Sequence, residues 1–202
     1  MDLLDRMEKS AFLGREWLVW LWFKSELFQG PFALADHGQV EVWLETQLTL
    51  EAEAQSLEKS ALRGPAPSVA PEAHEGLRQG KLPTGAGIGI RQGEQTFACS
   101  FKADAFSLSA VRLPTLVQEQ TDEKFYERMF LLEQLESMLE ALFDEFLELR
   151  LSKRWESDLL PAIRAWVAGS PSMDSRDYEQ LLRSVRKGSS ALEAMGVVPA
   201  AE

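Results

Sequence analysis

The feature that most constrains this chain is a proline-free stretch from residue 3 to 28 into which Phe12, Trp17, Val19, Trp20, Leu21, Trp22 and Phe23 are crowded. At 3.6 residues per turn these side chains point to every side of a helical wheel, so the stretch predicts a helix that must be covered all round. Two arrangements satisfy that demand. Either the helix lies wholly inside its own domain, or its domain covers half of it and a partner covers the rest, with Trp17, Trp20 and Trp22 as interface anchors. The most apolar run, Trp17 to Phe23, is bracketed by Arg15-Glu16 and Lys24-Ser25-Glu26 and falls far short of the roughly 20 residues that cross a bilayer. Glu8, Glu16 and Glu26 offset Arg6, Lys9, Arg15 and Lys24, so the basic face of a membrane-surface helix is missing and no membrane partner is expected.

Gln29-Gly30-Pro31 breaks this helix, and after Asp36-His37-Gly38 the apolar period changes from 3.6 to two. Val40, Val42, Leu44, Thr46, Leu48 and Leu50 share one face, opposite Glu41, Trp43, Glu45, Gln47, Thr49 and Glu51, which describes an antiparallel strand with one wet side. A weaker strand is expected over 53–62, ended by Arg63-Gly64-Pro65-Ala66-Pro67. Pro71 suits a first helical turn and Gly80 a stop, giving a short helix around Ala73, Leu77 and Arg78. Strand signals return from 85 to 113, with Ile88 and Ile90, a turn at Gln92-Gly93, then Phe97, Cys99 and Phe101 alternating with Thr96, Ala98 and Ser100, and a last strand over 106–113.

Beyond the connector at 113–122 the helical period resumes. Phe125, Met129, Leu132, Leu135, Leu139, Leu142 and Phe146 form a stripe opposite Glu127, Glu133, Glu140 and Asp144, with Asp122 placed to cap a helix of about seven turns. A second helix is expected over 155–168, with Pro161 near its beginning, and a third over 174–187 led by Tyr178, Leu181, Leu182 and Val185, with a loose tail from Gly188. The fold class is therefore α+β: an antiparallel meander of four to five strands packed with the Trp-rich N-terminal helix and followed by three C-terminal helices. An α+β core domain should span 1–168 and a C-terminal helix with its tail 169–202.

Chemistry is thinly signalled. Gly85, Gly87 and Gly89 spell half of a dinucleotide fingerprint, but a strand pattern follows where the phosphate-binding helix should open. His37 and His74 have no second His or Cys at metal-ligand spacing, and Cys99, alone in the chain and flanked by Phe97 and Phe101, reads as a buried, inert thiol with no disulfide partner. The carboxylates of 122–148 read as a solvated helix face. No cofactor, metal or catalytic residue is expected, and a single cysteine with an acidic N-terminus suits the cytoplasm.

Lys plus Arg number 21 against 32 Asp plus Glu, a formal net charge of −11, so any nucleic-acid contact must be local. The candidates are Arg150, Lys153 and Arg154 at a helix junction and Arg176, Arg183, Arg186 and Lys187 on the last helix. Arg176, Arg183 and Lys187 share a helical face, which is either a phosphate-contacting strip or a solubilising face paired with Asp177 and Glu179.

The segment Phe12-Leu13-Gly14-Arg15-Glu16-Trp17-Leu18-Val19-Trp20-Leu21-Trp22-Phe23-Lys24-Ser25-Glu26 resembles part of the recombination-associated RdgC family. Ala61-Leu62-Arg63-Gly64, Leu77-Arg78-Gln79-Gly80-Lys81, Phe106-Ser107-Leu108-Ser109 before Leu113-Pro114, and Phe146-Leu147-Glu148-Leu149-Arg150 running to Trp155 follow in order, so the likeness covers about residues 12 to 168. It implies a non-enzymatic, nucleoid-associated homodimer that holds double-stranded DNA without sequence preference and modulates recombination, alone or with a separately encoded companion. The alternative is a protein-interaction or scaffold module with no DNA contact.

Overall fold

The computed structural model describes the backbone of residues 3–52, 59–118 and 120–194, and the side chains of 13–52, 60–118 and 120–188. The Phe12 ring, residues 53–58 of the expected second strand and the tail from 195 lie outside these described residues. The chain is α+β and divides into two compact units, Met1–Leu142 and Phe143–Glu202. The division falls inside a helix, not after residue 168 where the Gly169-Ser170-Pro171 break had suggested it.

The first unit opens with α1, Leu3–Phe28. Its aromatic segment is enclosed: Trp17, Leu18, Trp20, Leu21, Trp22 and Phe23 are all buried. The helix lies on strands β2 (Gly38–Ala52) and β4 (Lys81–Gln92), and Trp17 meets Phe101 edge-on with ring centroids 4.7 Å apart. Gly14 permits this approach, since a Cβ there would overlap the carbonyl of Ala103. Lys24 is buried in the same layer, its ammonium 3.9 Å from the centre of the Phe32 ring and also over Trp20 and Phe28, which replaces hydration with the negative faces of aromatic rings.

Among the described residues six strands make one antiparallel sheet. Along one path the order is β1 (Phe32–Leu34), β2, β4, β5 (Gln95–Lys102) and β6 (Ser107–Arg112), while β3 (Lys59–Gly64) pairs with the far half of β2. The period of two in β2 is realised as expected at Val40, Val42, Leu44, Leu48 and Leu50, all buried. Thr46 does not join them: it is exposed, with φ of 59°, and with Gln47 it bulges from the β4 ladder, whose register steps from Glu45 opposite Gly87 to Leu48 opposite Ala86. An insertion of two residues preserves the alternation, so Leu48 and Leu50 return to the core face.

Helix α2, Pro71–Arg78, starts on Pro71 and stops before Gly80 at φ 80°. His74 on α2 and the Trp22 indole on α1 both meet the Glu26 carboxylate, at 3.2 Å and 2.6 Å. Helix α3, Thr121–Leu151, is longer than the expected seven turns, and Asp122 stands within its first turn. Gln134 donates to the Gln92 and Gln95 side chains at the end of the β4–β5 hairpin, and Ser137 lies 3.2 Å from the His37 ring.

The second unit contains the last turns of α3, then α4 (Leu160–Val167) and α5 (Ser175–Ala194). The expected helix over 155–168 is divided: Trp155–Leu159 winds as a π-turn before α4, with Pro161 in the first turn of α4. Phe146 packs edge-on against Trp155 at 5.6 Å, and the Tyr178 hydroxyl donates to the buried Glu145 carboxylate at 2.7 Å. Helix α5 outruns its expected end at Lys187 and continues to Ala194.

Candidate functional site

Trp17, Trp20 and Trp22 cannot serve as interface anchors in the folded chain, because each is at most 2% exposed. Of the two arrangements open to the tryptophan helix, full enclosure is the one observed. The aromatic spacing identified a helix needing complete cover, but spacing cannot say whether that cover comes from the same chain.

The seven basic candidates all lie in the second unit, and acidic neighbours engage several of them. Arg154 pairs with Asp158 at 3.2 Å, Arg183 with Glu179 at 2.7 Å, and Arg186 with Glu148 at 2.8 Å. The Arg150 guanidinium lies over the Trp155 ring, 5.3 Å from its centre. The Ser157 hydroxyl, with Arg154 adding its charge, holds the Asp158 carboxyl below the usual range. Lys153 is exposed, and Arg176, Arg183 and Lys187 occupy the exposed face of α5, opposite the buried Tyr178, Leu181, Leu182 and Val185.

The glycine triplet has a structural cause. Gly85, Gly87 and Gly89 alternate along β4 on the face opposite Ala86, Ile88 and Ile90, and a Cβ at Gly89 would fall within the Trp43 ring. The Trp43 indole of β2 thus excludes a side chain at Gly89, whereas at Gly87 a Cβ would overlap the Glu45 carbonyl and the Thr46 hydroxyl, and at Gly85 it would press on the Phe101 carbonyl. Arg91–Glu41 and Arg112–Glu45 ion pairs and a 3.0 Å bond from the Trp43 indole to Glu45 complete that polar face. Cys99 is buried on the core face opposite Ile88, and desolvation, helped by the Glu45 carboxylate, pushes its thiol up to about 11, far from a reactive thiolate at neutral pH. Among the described residues no three His, Cys, Asp or Glu side chains gather at metal-binding distance, and no helix is long and apolar enough to cross a membrane.

The surface that stands out was absent from the expectations. In the first unit α3 buries Leu131, Leu135, Met138, Leu139 and Leu142. Phe125 and Met129, placed by the sequence at the head of that stripe, are instead exposed, together with Tyr126 and Phe130: 60% for Phe125, 71% for Tyr126, 42% for Met129 and 62% for Phe130. On a helix turning 100° per residue these four side chains fill an arc of about 140° on the side away from the buried leucines. Phe125 and Tyr126 touch edge-on, with centroids 5.8 Å apart. The patch offers roughly 450 Å² of apolar surface, taking 150–250 Å² for a whole aromatic side chain, which is in the size range of functional surface patches. The Glu127 carboxylate accepts bonds from the Val117 and Gln118 amides at 2.8 and 3.0 Å, which fasten the connector beside these turns and hold this carboxyl below its ordinary value of 4.5. Val117 is itself exposed.

The exposed carboxylates Asp122, Glu133, Glu136 and Glu140 lie on the same arc as the aromatic cluster, whereas Lys124 and Arg128 project from other sides of the helix. Glu133, Glu136 and Glu140 are three, four and seven residues apart, so like charges adjoin along one face. The outer face of α3 thus carries an aromatic head and an acidic continuation. No protein-family model matches the chain, and no curated protein matches it by sequence.

Proposed function

We propose that the chain is a non-catalytic protein-interaction module of the cytoplasm that docks a partner on the outer face of α3. One observation carries this reading: four large apolar side chains, each 42% to 71% exposed, lie on the side of α3 opposite its buried stripe. Solvated rings in such a cluster represent hydrophobic free energy not used in folding and open to association. A photo-crosslinking residue placed at Tyr126 in living cells tests it. The expected result is a discrete adduct, identified by mass spectrometry, that disappears when Phe125→Ser and Phe130→Ser are added. Absence of any adduct from Tyr126 overturns the reading.

A second reading, contact with double-stranded DNA as the RdgC resemblance implies, draws support from Arg176, Arg183 and Lys187 sharing the exposed face of α5. Such contact would be phosphate-dominated and would weaken steeply with salt. Gel retardation at about 50 mM salt that is lost on Arg176→Glu with Lys187→Glu supports it, and the absence of retardation there removes it.

A further inference from the structure

We infer that the occupant of the α3 face is an amphipathic helix of another protein whose apolar positions are flanked by lysine or arginine. The inference rests on the interaction reading above and adds the chemistry of the partner. A helix laid along α3 meets Phe125, Tyr126, Met129 and Phe130 over the first turns and then, one to three turns farther along the same arc, Glu133, Glu136 and Glu140. Its complement is therefore apolar opposite the aromatic cluster and cationic beyond it, with Asp122 adding one carboxylate before the cluster. Three like charges spaced at three and four residues repel one another on the free surface, and a cationic partner relieves that repulsion as it binds.

A second copy of the chain is a poor occupant by the same reasoning. An antiparallel pairing centred on the aromatic cluster, midway between Phe125 and Phe130, places Asp122 of each copy opposite Glu133 of the other, and a parallel pairing sets every glutamate against itself. With a formal charge of −11 on each chain, self-association also works against overall repulsion. A polyanion such as nucleic acid would meet the same four carboxylates.

The test uses the full chain and two synthetic helical peptides that share leucine positions, one with lysine and one with glutamate at the polar positions, followed by fluorescence anisotropy. The lysine peptide should bind at least about tenfold tighter than the glutamate peptide. Phe125→Ser with Phe130→Ser should weaken the lysine peptide by a similar factor, and Glu133→Lys with Glu136→Lys should invert the preference. Sedimentation should show the free chain as a 22.7 kDa monomer. Equal binding of both peptides, still dependent on Phe125 and Phe130, overturns the basic partner while leaving the docking face intact. A dimer that dissociates on Phe130→Ser assigns the face to a second copy and overturns the inference. Failure of either peptide to bind a monomeric chain overturns it as well, and the Tyr126 crosslink then decides the docking reading separately.

Discussion

The two aromatic helices of the first unit invite comparison. Helix α1 carries Trp17, Trp20, Trp22 and Phe23, and all four are buried; the first turns of α3 carry Phe125, Tyr126, Met129 and Phe130, and all four are exposed. Both segments carry large aromatic side chains, but Trp17–Phe23 holds no charged residue, whereas 121–130 intersperses them with Asp122, Glu123, Lys124, Glu127 and Arg128. Their positions differ as well: α1 lies on β2 and β4, whereas the buried stripe of α3 begins only at Leu131. The same residue types thus supply core free energy in one helix and association free energy in the other, and substitution separates the two roles.

The largest effect is expected at Trp20→Ala, which empties a fully enclosed site and should cost about 3–5 kcal/mol of unfolding free energy by chemical denaturation. A loss near zero would mean that α1 is not the enclosed member of the pair. Gly89→Ala should come next at about 1–3 kcal/mol, because the new methyl displaces the Trp43 ring; if stability is unchanged, Gly89 is not there to seat that indole. A smaller effect concerns the connector at the start of α3. The Glu127 pKa is lowered in the fold, so the bonded carboxylate contributes at and above its unfolded value of 4.5 and that contribution fades as pH falls through the lowered value. Amide exchange should show Val117 and Gln118 protected at neutral pH and losing protection only below pH 4.5, whereas Glu127→Gln should weaken that protection already at pH 7.

Much of this fold was legible beforehand. The period of two in β2 announced a strand with one apolar face, Pro71 and Gly80 bounded α2, and the all-round apolar wheel of α1 announced enclosure. The bulge at Thr46 was not legible, because an insertion of two residues leaves the alternation of the strand intact. Nor was the register of burial on α3. Phe125, Met129 and Leu132 continue smoothly into Leu135 and Leu139, yet their spacing drifts round the helix, and Phe130 and Leu131 sit side by side with opposite fates. Periodicity locates an apolar face but not where along the helix its cover begins. The glycine triplet was separable from a phosphate loop because a strand follows it, while its causes, the Trp43 ring at Gly89 and the Glu45 carbonyl at Gly87, depend on pairing between distant strands. Arg154 stood out within the helix-junction cluster and Arg183 and Arg186 on the last helix, but the ion pair between Arg186 and Glu148 joins residues 38 apart in the chain and was not legible.

The most direct measurement is equilibrium denaturation of the Phe125→Ser/Phe130→Ser chain beside the parent protein. With both rings in solvent, the two unfolding free energies should agree to within about 0.5 kcal/mol per site. A loss of several kcal/mol would show that the folded chain relies on these rings for its core, and the contrast between α1 and α3 would collapse.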